Sequence, residues 1–144
     1  MLVDPSYGDV KNKWKHMNPA EKSWCKPPSR WKLCIRIGET QSAALGMAEW
    51  HFPSASLTDG RGDAFRHCYW NVLMTKRFGY SKAAEVATRH EAYSSGLPKV
   101  MDLRNNFIGR AVAGQSANEV RGRDECTSRA NTGRLWIIQN GALV

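Results

Sequence analysis

Three consecutive stretches of helical period constrain this chain more than any other feature. They are RGDAFRHCYWNVLMTKRFG (61–79), KAAEVATRHEAYS (82–94) and KVMDLRNNFIGRAVAG (99–114). In the first, Ala64, Phe65, Cys68, Tyr69, Val72 and Leu73 recur at the spacing of a core-facing stripe. In the third, Met101, Phe107, Ile108 and Val112 do the same. Only a few residues separate the stretches, and short loops make antiparallel neighbours. The expected fold class is mainly α, a single-domain helical bundle.

Residues that start and stop helices fill in the rest. Asn18 stands as N-cap before Pro19, with Glu21 three residues on, a capping-box pattern. Pro27-Pro28 ends that short helix. A second helix is expected from about Arg30 to His51, with a break at Gly38 allowed for, and 52–62 is a loop rich in Pro, Ser and Gly. Gly79 suits the position past a helix end. Ser81 is the expected cap of a helix to about Ser94, Pro98 opens the next, and Ser116–Glu119 reads as a capping box for a helix to about Arg129. Asn140-Gly141 between β-formers predicts a small C-terminal β-hairpin. The expected organisation is one domain over 1–144: a Trp/Lys-rich N-terminal helical segment (1–58), a helical core carrying the site (59–129) and the hairpin (133–144).

At 144 residues the chain can bury a continuous core without staples. No run approaches the ~18 apolar residues of a membrane span, so no transmembrane segment is expected. The N-terminus has no apolar region of a cleaved signal. The chain is expected either to stay in the cytosol or to travel by a route that needs no cleaved signal. Net charge is +8, with eight Lys/Arg against six Asp/Glu in 1–60 and thirteen against seven in 61–144. That balance favours an anionic partner without choosing among nucleic acid, lipid and acidic protein. The four cysteines match no paired metal signature. Cys25 and Cys34 are close enough to bridge in an oxidising compartment. Cys68 reads as a small core residue, and free thiols are expected over disulfides.

Polar rows run beside the apolar stripes. Asp63, His67 and Asn71 fall at i, i+4 and i+8, in one line on a helix. Asp102, Asn106 and Arg110 repeat the row, with Asn105 beside it. Between them stand His90 and Glu91, about 100° apart, so only one can face the bundle centre. A single row is ordinarily a solvated face, but three on successive antiparallel helices can converge. Buried together, such groups need full hydrogen bonding.

Two histidines with several carboxylates suit a divalent cation such as Zn²⁺, Mn²⁺ or Ca²⁺ that activates a water. The candidate ligands are Asp63, His67, His90, Glu91 and Asp102. The same five are the candidate catalytic residues without a metal, His67 acting as a general base oriented by Asp63. Arg66, Asn71, Asn105, Asn106 and Arg110 are the candidate substrate contacts, with Arg110 steadying an anionic transition state. Either mechanism hydrolyses an ester or phosphoester. A zincin peptidase is disfavoured because position 94 is Ser rather than His. A thiol nucleophile is disfavoured because Cys68 turns away from the row of His67.

The N-terminal segment interleaves Trp14, Lys15, Trp24, Lys26, Arg30, Trp31 and Lys32. Single-strand binding surfaces and membrane-interface segments share that pattern. The alternative is that these rings pack over the bundle while the cations snorkel outward.

The motifs GDAFRHCYWNVLMTKRFG, ATRHE, MDLRNNFIGRAVA and GRLWII, in that order, resemble an uncharacterised helical domain found at the C-termini of bacterial polymorphic toxins of the Rhs type. The resemblance covers about Asp59 to Ile138, with Asp63, Arg66, His67, Trp70, Asn71, His90, Glu91, Asp102, Asn105, Asn106, Gly109 and Arg110 at matching positions. It implies a secreted antibacterial effector, delivered into a target cell and neutralised by a cognate immunity protein. A fainter similarity is to prokaryotic phospholipase A2 helices, in which Arg-His-Asp precedes aromatics. Here Arg66-His67 is followed by Cys68, so Glu91 or Asp102 would have to replace the missing acid. The expected function is an effector that hydrolyses an ester or phosphoester in a lipid or lipid-linked envelope substrate. The alternatives are a basic nuclease toxin acting on DNA or RNA and a non-enzymatic helical binding module.

Overall fold

The helix at Arg61–Phe78 is the axis of the molecule. From Gly62 to Met74 every residue except Arg66 is buried. A helix covered on nearly all faces must lie at the centre of its bundle. The computed structural model describes residues 14–144. Most of the irregular stretch expected over 1–17 lies outside the described residues, and 14–16 are helical. In chain order the elements are α1 (Pro19–Cys25), a 3₁₀ turn (Pro28–Arg30), α2 (Trp31–His51), a second 3₁₀ turn (Ser54–Leu57), α3 (Arg61–Phe78), α4 (Tyr80–His90), α5 (Gly96–Gln115), α6 (Glu119–Asn131) and strands β1 (Ile138–Gln139) and β2 (Ala142–Leu143). The protein is mainly α with a small C-terminal hairpin, and α2, α4, α5 and α6 all pack on α3. No helix among the described residues is long and apolar enough to cross a membrane.

Helix ends follow local chemistry, with corrections. The Asn18 capping box forms as expected. The Asn18 amide also donates to the carbonyls of Arg89 and His90, fastening α1 to the end of α4. α2 runs through Gly38 without a break. α4 starts at Tyr80 directly after Gly79, with no side-chain cap from Ser81, and ends at His90, four residues short of the expected Ser94. α5 opens at Gly96, two residues before Pro98. Asn118, not Ser116, caps α6, and Glu119 pairs with Arg77 instead.

The free-thiol expectation is overturned. Cys25 is bridged to Cys34 and Cys68 to Cys126, and none of the described cysteines is free. Cys68 is fully buried, as expected of a core residue. Its partner lies 58 residues away on α6, which no spacing within α3 could disclose.

The core gathers Phe65, Val72, Leu73, Met74, Met101 and Val112, all nearly fully buried. Each contributes roughly 1.5–3 kcal/mol relative to exposure. Phe65 also stacks between Phe52 and Tyr69, with centroids 5.1 and 5.6 Å away. Gly109 lets α5 touch α3: a Cβ there would overlap the Cys68 carbonyl and lie 2.8 Å from Asn71 Cβ. That contact brings the polar row of α5 against the row of α3. The hairpin pairs Ile138 with Leu143 and Gln139 with Ala142. Its turn has positive φ at both Asn140 and Gly141, as a two-residue connection of matching twist requires.

Candidate functional site

His67 is the centre of the polar cluster, 2% exposed on the buried axis of α3. Its Nδ1 lies 2.9 Å from the Asp63 carbonyl and 3.1 Å from Asp63 Oδ1. A carbonyl only accepts, so Nδ1 carries a hydrogen and donates. The other ring nitrogen faces two more acids, with Nε2 3.4 Å from Asp102 Oδ1 and 3.7 Å from Glu91 Oε1. Asp63 is held in turn by the Arg66 guanidinium at 2.8 Å and the Asp59 N–H at 2.9 Å. Glu91, 3% exposed, accepts from the Ser94 hydroxyl. Three carboxylates from α3, the end of α4 and α5 thus surround one imidazole.

Their protonation follows from that crowding. Burial alone would lower His67, but the hydrogen bonds it donates to Asp63 and Glu91 and the charge of Asp102 lift it to about 9 against the opposition of Arg66. Burial alone would raise Asp63, but the His67 hydrogen bond and charge, with Arg66 and the Asp59 amide, hold it at about 2. Glu91 and Asp102 are pushed apart. Burial opposes ionisation of both; His67 and Ser94 bring Glu91 down, whereas Glu91 and Asp63 drive Asp102 up. At neutral pH the cation-free site holds an imidazolium with two donors and no free lone pair. His67 in that state cannot act as the expected general base.

The same atoms can hold a metal. Asp63, His67 and Asp102 each place one ligand atom within 4.8 Å of the others. Glu91 is outside that group, with its Oε1 3.7 Å from Nε2. Nε2 and Asp102 Oδ1 lie 3.4 Å apart, close to the roughly 3.3–3.4 Å between two ligands about 2.0–2.1 Å from a tetrahedral ion.

One turn deeper lies a second polar layer. Asn71 donates to the His67 carbonyl and to Asn106 Oδ1, and accepts from Arg110 Nη1 at 2.8 Å. Arg110 is 9% exposed, and among the described residues no carboxylate pairs with it. Its Nε and the Asn106 Nδ2 are donors without an acceptor.

Two expected site residues are placed elsewhere. His90 turns to α1, where Nδ1 meets Glu21 Oε2 at 2.9 Å and the ring stands edge-on to Trp70. It is not in the His67 cluster; α4 ends there, so Glu91 takes the inward direction. Asn105 donates to the Trp136 carbonyl and accepts from the Trp136 N–H. It clamps the C-terminal segment to α5. Glu21 was not among the expected site residues. Its capping-box role was legible, but its bond to a histidine 69 positions away was not. Beside the cluster an open cleft of about 270 Å³ is lined by Glu21, Gln41, Leu45, Arg66, Trp70 and His90. Arg66, bonded to Asp63, joins this cleft to the buried acids.

The family model described as a domain of unknown function (DUF6973) matches residues 28–132, which include every residue of the cluster. No solved structure matches the chain.

Proposed function

The chain belongs to the DUF6973 domain family, and from the geometry of its His67 cluster we propose that it is a cation-dependent hydrolase of an ester or phosphoester. The observation that carries this reading is the excess of carboxylates around His67. Asp63 and Glu91, both buried, and Asp102, partly exposed, bring three negative charges against two positive ones, an imidazolium and the partly exposed Arg66. Exchanging the imidazolium proton for a divalent cation on Nε2 balances the charge with all three acids ionised. An unbalanced buried charge is costly, so the site favours the exchange. A nitrogen ligand with two carboxylates suits Zn²⁺ or Mn²⁺ better than Ca²⁺, which prefers six to eight oxygens.

Asp63, His67 and Asp102 would hold the cation, which would supply Lewis acidity and an activated water. Glu91, outside the ligand group and 3.7 Å from His67 Nε2, would take a proton from the attacking water and return it to the departing alcohol. Arg66 and Arg110 supply positive charge for an anionic group. The motif resemblance supports placing this hydrolase in an antibacterial effector, with an immunity protein as partner. Two disulfides support action in an oxidising compartment, and so favour an envelope lipid over nucleic acid.

The test incubates the purified chain with lipid vesicles, DNA and RNA, each with EDTA or added Zn²⁺ or Mn²⁺. Expected are cleavage of lipid only when the cation is present and loss of turnover in Asp102→Asn and Glu91→Gln with unchanged helix content. Turnover that survives EDTA and both substitutions sinks the reading, and cleavage of nucleic acid alone replaces the lipid substrate.

A further inference from the structure

The start of the bundle carries an acid-free run of charge that the hydrolytic site does not use. Lys22, Lys26, Arg30, Lys32 and Arg36 follow one another with no Asp or Glu before Glu39. The Cys25–Cys34 bridge ties α1 to the start of α2 across the 3₁₀ turn, and the Arg36 guanidinium lies 5.3 Å from the Phe78 ring centroid. Lys26, Lys32 and Arg36 are exposed. Among them stand two outward apolar side chains one helical turn apart, Trp31 at 56% and Ile35 at 41% exposure. The Trp31 N–H is already satisfied by the Lys26 carbonyl at 3.1 Å, so the ring offers its carbon surface to the outside. The second ring, Trp24, lies beneath Arg30, Lys82 and Arg89, 4.8, 5.4 and 4.4 Å from its centroid. Glu85 is spent on Lys82 and Arg89.

We propose that this face, centred on Trp31 and Ile35 and rimmed by Lys22, Lys26, Lys32 and Arg36, docks the protein on an anionic lipid bilayer. Apolar side chains inside a cationic rim are what interfacial attachment needs: the rim binds headgroups and the centre enters the acyl boundary. Single-stranded nucleic acid fits less well. It needs successive free aromatic faces, whereas Trp24 is covered by three cations and the neighbour of Trp31 is an isoleucine. Docking is a property of this surface alone and does not depend on what the His67 site hydrolyses.

The experiment is co-sedimentation of the oxidised full chain with vesicles of pure phosphatidylcholine or equimolar phosphatidylglycerol and phosphatidylcholine, in EDTA so that turnover plays no part. The wild type should bind the anionic vesicles far more tightly than the neutral ones, and added salt should weaken binding. Each lysine neutralised near an anionic surface costs about fivefold, so Lys26→Gln with Lys32→Gln should weaken binding about 25-fold. Trp31→Ala should weaken it about tenfold with an unchanged unfolding midpoint. A control that neutralises Lys99 and Arg121, outside the face, should bind as the wild type does. Equal binding to both vesicles, an equal loss in the control, or tighter binding of a single-stranded oligonucleotide through the same lysines overturns the proposal.

Discussion

Replacing Asp102 with Asn should stabilise the cation-free protein above pH 6 while removing its response to a cation. The Asp102 side chain is 17% exposed and faces His67 at 3.4 Å. Burial, with the charges of Glu91 and Asp63, lifts its carboxyl from 3.8 to about 6 in spite of His67. A folded-state pKa above the unfolded one means stability fully present below pH 3.8 and lost as pH rises through 6. Two units correspond to about 3 kcal/mol. Sharing of the proton with Glu91, and the new amide N–H that needs an acceptor, reduce the recoverable part to about 1–2 kcal/mol at pH 8. Urea unfolding in EDTA measures this directly. The variant should be more stable at pH 8 and within about 0.5 kcal/mol of the wild type at pH 4, where the acid is protonated anyway. With Zn²⁺ at a hundred times its dissociation constant the wild type should gain about 2.7 kcal/mol and the variant little, reversing the order. A variant less stable at pH 8 in EDTA, or equally stabilised at pH 4, would mean that the Asp102 charge is not under strain and that the cluster is a satisfied structural network.

Three further outcomes follow from the same geometry. The His67 imidazole, followed by NMR in EDTA, should titrate near 9; its contribution of about 3 kcal/mol is fully present below pH 6.5 and lost as pH rises through 9. A midpoint near 6.5 contradicts the carboxylate cage. Gly109→Ala should cost about 1–3 kcal/mol in chemical denaturation, because the new methyl meets the α3 backbone, and should weaken cation binding as α5 moves away; full stability would show that the helices can part freely. Removing the Cys68–Cys126 bridge as a double Ala variant should cost about 4 kcal/mol on chain-entropy grounds, against about 2.5 for Cys25–Cys34, since the loops span 58 and 9 residues. Equal losses in thermal unfolding would rule out that ordering.

Much of the site was legible because helical spacing is a local property. Asp63, His67 and Asn71 share one row whatever else the chain does, and so do Asp102, Asn106 and Arg110. Apolar density along 64–74 marked a core helix, though not that α3 would be covered on nearly every side. Other parts were not legible because they depend on which helix lies opposite. The adjacent pair His90-Glu91 could send either residue inward; the end of α4 at His90 and the Glu21 carboxylate on α1 decided it. Asn105, one residue from the row, went to the Trp136 backbone instead.

The sequence by itself determined what lies within about one turn of helix or two residues of strand: helix content, the Asn18 cap, the Asn140-Gly141 turn and the composition of each polar row. Only the tertiary structure decided the pairings at long separation, Cys68 with Cys126, His67 with Asp102 and Glu91, His90 with Glu21. The reason is geometric. A row fixes a direction around one helix axis, but a contact needs the crossing and axial offset of two helices. Those are set by close packing at points such as Gly109 against Cys68, where the absence of a single Cβ brings α5 close enough for its acid to reach His67.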